Sequence, residues 1–333
     1  MSKIELSLDE IETTTAKALR AHGAADWVAD AVAKAVRVAE GKGNLICGLY
    51  YLESYCQQLL TVRVNGAAQP VVSTPKPASV MVDAKFGFAQ AAFSRGFDRA
   101  IATAREMGTC SFAIAHAHTC TSLGYFTEQI ANAGLIGIGF TNASAVVSPP
   151  NGNTAVLGTN PIAMAIPAQD GGVTFQFDQS TSAIALGKIT MAKAAGESIP
   201  LGWAVDGAGK PTTDPSEALK GSLVSSGGYK GWGFGLMAEV LAAAMTGSVN
   251  SLDVAGLKLP EGAPHDLGQF YLLLDPTVFS GDAFWARIAR IVDAVAAQEG
   301  ARLPGSDFVM PATVHVETNV WNRVLELSAG PDA

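Results

Sequence analysis

The stretch FAIAHAHTCTSLGYF, from Phe112 to Phe126, compresses a strand, a polar loop and the start of a helix. Small and branched apolar residues up to Ala117 read as a half-buried strand, and the run from Leu123 to Phe126 opens a helix. Two of the five histidines in the chain, His116 and His118, stand at the junction. Two residues apart on a strand, they are expected to share one face. A metal pair, a proton donor and a cofactor-loop entrance are the three chemical options. No third ligand at metal spacing follows, which argues against the metal. His118, nearer the loop, is the candidate proton donor, with a satisfied core histidine as the plain alternative.

Outward from this stretch the pattern is mixed α/β. VVSTP, SVMVDA, CSFAIAHA, LIGIGFTN, PIAMAIP, VTFQFD and GQFYLLLD all read as strands. Helices are predicted at about 90–106, 122–133, 181–194, 232–246, 283–298 and 316–327. Before residue 65 the chain reads as helical throughout. SLDE, Ser7 to Glu10, forms a capping box, a second helix covers about 24–40, and GKGNLICG makes a glycine-bearing break before GLYYLESYCQQLL. No polar linker divides the chain, and the terminal helices are expected to pack together.

The 333 residues suffice for a large core. A net charge of -8 with 22 Lys plus Arg excludes a nucleic-acid scaffold or an anionic membrane surface, since both need concentrated positive charge. The amino terminus lacks the apolar core of a signal peptide, and no run reaches the roughly 18 apolar residues of a bilayer span. A cytoplasmic protein is expected. Cys47, Cys56, Cys110 and Cys120 form no CxxC pair, so reduced thiols are expected.

Neither GxGxxG nor GxxxxGK[ST] occurs, so any nucleotide needs another cradle. Three loops qualify. In HTCTSLGYF, residues Cys120, Thr121, Ser122 and Leu123 offer hydroxyls and amides at a helix start, a natural anion site. A plain N-cap at Thr121 or Ser122 explains the same residues. In FDQSTS, Asp178, Gln179 and Ser180 end a strand, and Asp178 either takes ribose hydroxyls or caps a helix. In SSGGYKGWGFG, Gly228 and Gly231 permit close backbone approach while Lys230 supplies charge, although a tight turn before a buried helix needs the same glycines. LGTNPIA adds a rigid turn whose Thr159 and Asn160 can point polar groups into a pocket.

Taken in order, LGTNPIA, FDQSTSAIALGKI, IPLGWAVDGAGKPTTDP and SSGGYKGWGFGLMAEVLAAAMTG resemble the malate/L-lactate dehydrogenase family of the second type. That family also contains ureidoglycolate dehydrogenases and Δ1-piperideine-2-carboxylate/Δ1-pyrroline-2-carboxylate reductases, and the similarity runs to about Pro276. The resemblance implies an NADPH- or NADH-dependent oxidoreductase with a non-Rossmann cofactor domain on a largely antiparallel sheet. It also implies a homodimer with sites near the interface and a small carboxylate substrate. The three loops would line the cofactor, and Thr159 would contact the substrate. Residues 1–65 form the helical segment, 66–280 the cofactor and substrate core, and 281–333 the helices returning to the first segment.

The departures are informative. Relatives carry Ser-His-Gly, with an Arg three residues later; the matching positions here are Ile46, Cys47, Gly48 and Tyr51. An aspartate of some imine reductases is matched by Lys188, a lysine also common among the dehydrogenases of the family. Ketone reduction builds alkoxide charge that needs a donor, and a thiol with a pKa near ~8.5 replaces imidazole poorly. A cyclic imine arrives protonated. The expectation is therefore reduction of Δ1-pyrroline-2-carboxylate or Δ1-piperideine-2-carboxylate to L-proline or L-pipecolate, with His118 and Cys47 at the reacting end. A 2-hydroxy-acid dehydrogenase and a non-catalytic cofactor-binding relative are the rivals.

Overall fold

The computed structural model describes residues 2–306 and 308–331. Strand β1 (Lys3–Ser7) leads into α1 (Leu8–Ala21), where the Ser7 side chain accepts from Glu10 N–H at 3.1 Å. This is the first half of a capping box. Helix α2 (Asp26–Gly41), two 3₁₀ turns (Leu45–Cys47 and Leu49–Tyr51) and α3 (Leu52–Leu60) complete the first helical layer.

The sheet region follows as β2 (Val71–Lys76), β3 (Ser79–Asp83), α4 (Ala89–Met107), β4 (Thr109–Ala117), α5 (Gly124–Asn132), β5 (Ile136–Thr141), β6 (Ile162–Pro167) and β7 (Val173–Gln179). Then come α6 (Leu186–Ala195), β8 (Ala204–Val205), α7 (Pro215–Ala218), β9 (Ser222–Leu223), α8 (Tyr229–Glu239), β10 (Leu267–Leu274), α9 (Ala283–Ala296), β11 (Thr313–Glu317) and α10 (Thr318–Ala329).

Seven strands form one sheet in the order β2-β3-β4-β10-β5-β6-β7, with β3–β4 its one parallel pair. That pair needs a crossover, and α4 supplies it. Strand β10 is central and buried on both faces, which is why GQFYLLL reads as continuously apolar. Tyr271 and Leu273 join Phe93, Phe112 and Phe126 beneath α4 and α5, while Phe270 meets Phe140 and Ala238 of α8 on the other face.

Several boundaries differ from the sequence reading for physical reasons. β1 and β11 pair antiparallel, Ile4 opposite Val316, so the last helix begins at Thr318 rather than Val316. The segment read as a helix from Thr181 is a turn until Leu186, because Thr181 N–H bonds Thr159 O at 2.9 Å. The helix read to Thr246 turns π-helical over Val240–Ala244, where it meets Gly268 of β10 so closely that a Cβ there would lie 1.6 Å from Ala242 O. Trp321, Val324 and Leu327 of α10 pack into the α1–α3 core, whereas α9 buries no residue in this chain. Among the described residues no helix is long and apolar enough to cross a membrane.

Candidate active site

The two histidines go to separate surroundings. His116 takes φ +53°, which rotates the end of β4 out of simple alternation. Its Nδ1 lies 2.7 Å from Asp266 Oδ1. His118 is instead enclosed, 2% exposed, with its ring stacked on His265 at 3.9 Å and edged by Tyr55 and Phe88. The expected shared face therefore does not form. No group of three metal-ligating side chains occurs among the described residues.

The protonation state of His118 follows from its partners. Gln58 donates its amide nitrogen to Leu257 O and Leu259 O, at 2.9 and 2.7 Å, so its oxygen faces His118. His118 Nε2 must then donate to that oxygen at 2.7 Å, and Nδ1 is left a buried acceptor with no partner among the described residues. Burial holds the His118 pKa well below its ordinary value, with His265 and Arg63 adding to the effect. Burial and Arg63 likewise push His265, whose Nδ1 accepts from Thr119 N–H, down to about 3. Both rings are neutral at physiological pH.

Cys47 sits in the turn after α2, and burial pushes its thiol up to about 12, with the charge of Asp178 acting in the same direction. Tyr51, on the next turn, is also raised to about 12, first by burial and then by Cys47. Cys120 is buried and its thiol strongly raised for the same reasons. These thiols stay protonated and are weak acids.

Asp178 ties the first two loops together. Its Oδ2 accepts from Gly124 N–H at 2.7 Å and from Ser122 Oγ at 3.2 Å. It caps α5 across the chain, rather than the following segment as a local cap would. The carboxylate keeps solvent access from the cleft, yet the walls crowd it. Desolvation raises its pKa against the pull of Gly124, Ser122, Leu123 and Lys42. Within the loop, Thr121 adopts φ +60°, a conformation that costs a β-branched residue about 1–3 kcal/mol. Leu123 places its side chain in the core, leaving only its backbone for a ligand.

The second and third loops are zipped together. Thr181 accepts from Ser226 N–H at 2.9 Å, Ser182 bridges Ser225, and Thr181 N–H reaches Thr159. Gln179 is exposed at the end of β7, and Ser180 Oγ bonds Ser182 O at 3.2 Å. Gly228 takes φ +67° at the start of α8, and a Cβ on Gly231 would lie 1.9 Å from Ser226 O. Lys230 is exposed on the first turn of α8 and has no carboxylate partner among the described residues. Thr159 is half-buried and its hydroxyl makes no hydrogen bond among the described residues, whereas Asn160 is fully buried. The Asn160 amide donates to Gly235 O and Glu239 Oε2, at 3.1 and 2.8 Å, and fixes the Asn-Pro turn to α8.

The result is a polar arc from Ser122 through Asp178 and Ser180 to Lys230. A cavity of about 210 Å³ opens beside it, lined by Lys42, Asn44, Ser122, Gly124, Asp178 and Gly305 among others. Lys42, Asn44 and Gly305 belong to none of the three loops that the sequence marks. The glycines flanking Lys42 and the Pro304–Gly305 pair, whose Pro304 O accepts from Gln176 N–H at 2.9 Å, were the available signals. Lys188 is exposed on α6. The arc suits a dinucleotide. The first amides of α8 lack intrahelical acceptors, Lys230 adds an unpaired cation, and glycine leaves the backbone open to phosphate oxygens.

A sequence profile described as malate/L-lactate dehydrogenase matches residues 6–318. The chain is 40% identical over 301 residues to the (2R)-3-sulfolactate dehydrogenase (NADP(+)) of Chromohalobacter salexigens, covering 90% of each chain. It is 36% identical over 304 residues to the Δ1-pyrroline-2-carboxylate reductase of Ancylobacter novellus, covering 90% of this chain and 89% of that one. The crystal structure of Δ1-piperideine-2-carboxylate reductase from Pseudomonas syringae pv. tomato superposes with a TM-score of 0.90 at 30% identity, covering 97% of this chain and 99% of that one.

Proposed function

The chain belongs to the malate/L-lactate dehydrogenase family and is an NAD(P)-dependent oxidoreductase; on that footing we propose that it reduces a cyclic imino acid, Δ1-pyrroline-2-carboxylate or Δ1-piperideine-2-carboxylate, to L-proline or L-pipecolate. The bound nicotinamide supplies the hydride. The protein's part is to hold the cofactor along the arc, with Lys230 and the α8 amides on its phosphates and the 119–124 and 178–180 segments on its remaining polar groups. Thr159 offers a free hydroxyl to the substrate.

One observation carries the choice of an imine: the chain's candidate donors are poor acids. His118 is neutral with its N–H given to Gln58, and the Cys47 thiol lies at about 12. A ketone would leave alkoxide charge that neither of these groups is acid enough to quench, whereas a protonated imine brings its own proton.

A 2-hydroxy-acid dehydrogenase is the second reading, favoured by the 40% identity to a sulfolactate dehydrogenase. NADPH and NADH oxidation should be followed with both cyclic imines, pyruvate, oxaloacetate and sulfopyruvate. Turnover of imines above oxo acids is the expected result, and turnover of oxo acids alone overturns the proposal. Tight NADPH binding with no turnover of any substrate would instead indicate a non-catalytic relative. A cytoplasmic homodimer with sites near the interface belongs to the same proposal. Phe234, Val240 and Met245 of the α8 region are about half exposed, an apolar face suited to a second copy. Sedimentation giving only monomer would remove that part.

A further inference from the structure

Any substrate of the proposed class carries a carboxylate, and holding it requires a cation near the reacting end. The cations around the Cys47–Tyr51 turns are mostly committed. Lys42 is paired with Glu128 at 2.7 Å, and Arg63 is buried with Nε on the carbonyl of Ala263 and Nη1 on those of Gly256 and Leu259, its Nη2 alone lacking a partner among the described residues. Lys258 differs. It is exposed, and no carboxylate partner for it occurs among the described residues. Its Nζ lies 3.1 Å from the centroid of the Tyr50 ring and 5.0 Å from that of Tyr51.

The backbone around Lys258 is fixed from one side. Gln58 donates to the carbonyls of Leu257 and Leu259, Thr61 Oγ donates to Pro260 O at 2.7 Å, and Arg63 Nε donates to Ala263 O at 3.0 Å. The residues gripping this segment are the same ones that set the environment of His118, since Gln58 holds both. An ammonium has three donors. The Tyr50 ring face takes one, and Tyr50 O, at 3.3 Å, takes another. The third is free, and the ammonium sits against the Leu49–Tyr51 turn, the next along the chain from the one that carries Cys47.

We propose that Lys258 binds the carboxylate of the substrate, an inference that rests on the reading of the site as an imino-acid or oxo-acid reductase. Its position on an aromatic pair fixes the anion at the Cys47–Tyr51 edge of the cleft. The ring or chain bearing the reacting carbon then extends toward Thr159 and the cofactor.

The test uses the NADP(+)-saturated protein titrated calorimetrically with pyrrole-2-carboxylate, a planar and unreactive carboxylate, and with its neutral carboxamide. Wild type should bind the carboxylate and not the amide. Lys258→Met should weaken carboxylate binding by about 10–100-fold, as expected for loss of a charge-assisted hydrogen bond. NADP(+) affinity and melting temperature should stay as in wild type, and Lys258→Arg should retain most of the binding. Equal carboxylate binding by wild type and Lys258→Met overturns the proposal, as does failure of wild type to bind the carboxylate. Because this readout needs no turnover, it fails separately from the functional reading, which the substrate panel decides.

Discussion

The open arc and the closed histidine block are both built from residues just beyond strand ends, yet they treat polar groups in opposite ways. Along the arc, Lys230 and the Thr159 hydroxyl keep donors in reserve. In the block, Gln58 and most of the Arg63 donors go to the 256–263 backbone and His118 donates to Gln58, while His118 Nδ1, His265 Nε2 and Arg63 Nη2 are buried with no partner among the described residues. The difference is one of exposure: the arc's spare groups face solvent, whereas those of the block are buried. A residue that binds a ligand must hold back hydrogen-bonding capacity, and a buried residue that holds any back is penalised.

The largest expected effect tests the block. His265 has a folded pKa of about 3, and His118 is depressed in the same direction. Between that value and an unfolded pKa of about 6.5, the unfolded chain binds more protons than the folded one. The stability contributed by the neutral rings is thus fully present above about pH 6.5 and is lost as pH falls toward 3. Urea titrations should show roughly 3–5 kcal/mol lost across that window, beyond what the carboxylates contribute. His265→Gln keeps an acceptor for Thr119 and should flatten the histidine component; an unchanged slope would remove the block from the account.

The adjacent residues Thr159 and Asn160 sharpen the contrast within one turn. Asn160→Ala strips partners from Glu239 and Gly235 and should cost about 2–3 kcal/mol in unfolding free energy. Thr159→Ala should leave stability within ~0.5 kcal/mol and act on KM. Reversed effects would mean that the half-buried hydroxyl is structural and the buried amide is not.

Lys230→Ala should weaken NADPH binding about 10-fold or more in a fluorescence titration, with a smaller loss at high salt because that charge is exposed. Unchanged affinity would move the phosphates away from α8. The smallest effect is expected at Cys47. A thiol at about 12 contributes little as an acid, so Cys47→Ala should change kcat less than about threefold. A loss of two orders of magnitude would make it the donor.

Much of this was legible from local pattern. The seven strands of the main sheet show themselves as short apolar runs between turn residues, and the three candidate cofactor loops are marked by clustered Gly, Ser and Thr. The pairing of β1 with β11 was not legible, since KIELS and TVHVE are five residues each and run directly into helices. Nor was the role of Asp178, whose helix lies 54 residues earlier. The state of His118 depends on Gln58, 60 residues away, and Gln58 is oriented by a backbone some 200 residues further on. Such contacts leave no periodic trace in a sequence. The Asn-Pro turn marks Asn160 as a pocket residue, because such turns present polar groups; only the packing of α8 against it reveals where that amide goes.

The central claim is that the chain supplies no proton to its substrate. It is tested most directly by the dependence of kcat/KM on pH, from about pH 5 to about pH 9, for Δ1-pyrroline-2-carboxylate in wild type and Cys47→Ala. The account predicts that both share one falling limb, which tracks deprotonation of the imine nitrogen and moves when the substrate's basicity is changed. A limb that stays fixed across substrates of different basicity, or that disappears with Cys47, would show that a group on the protein delivers the proton.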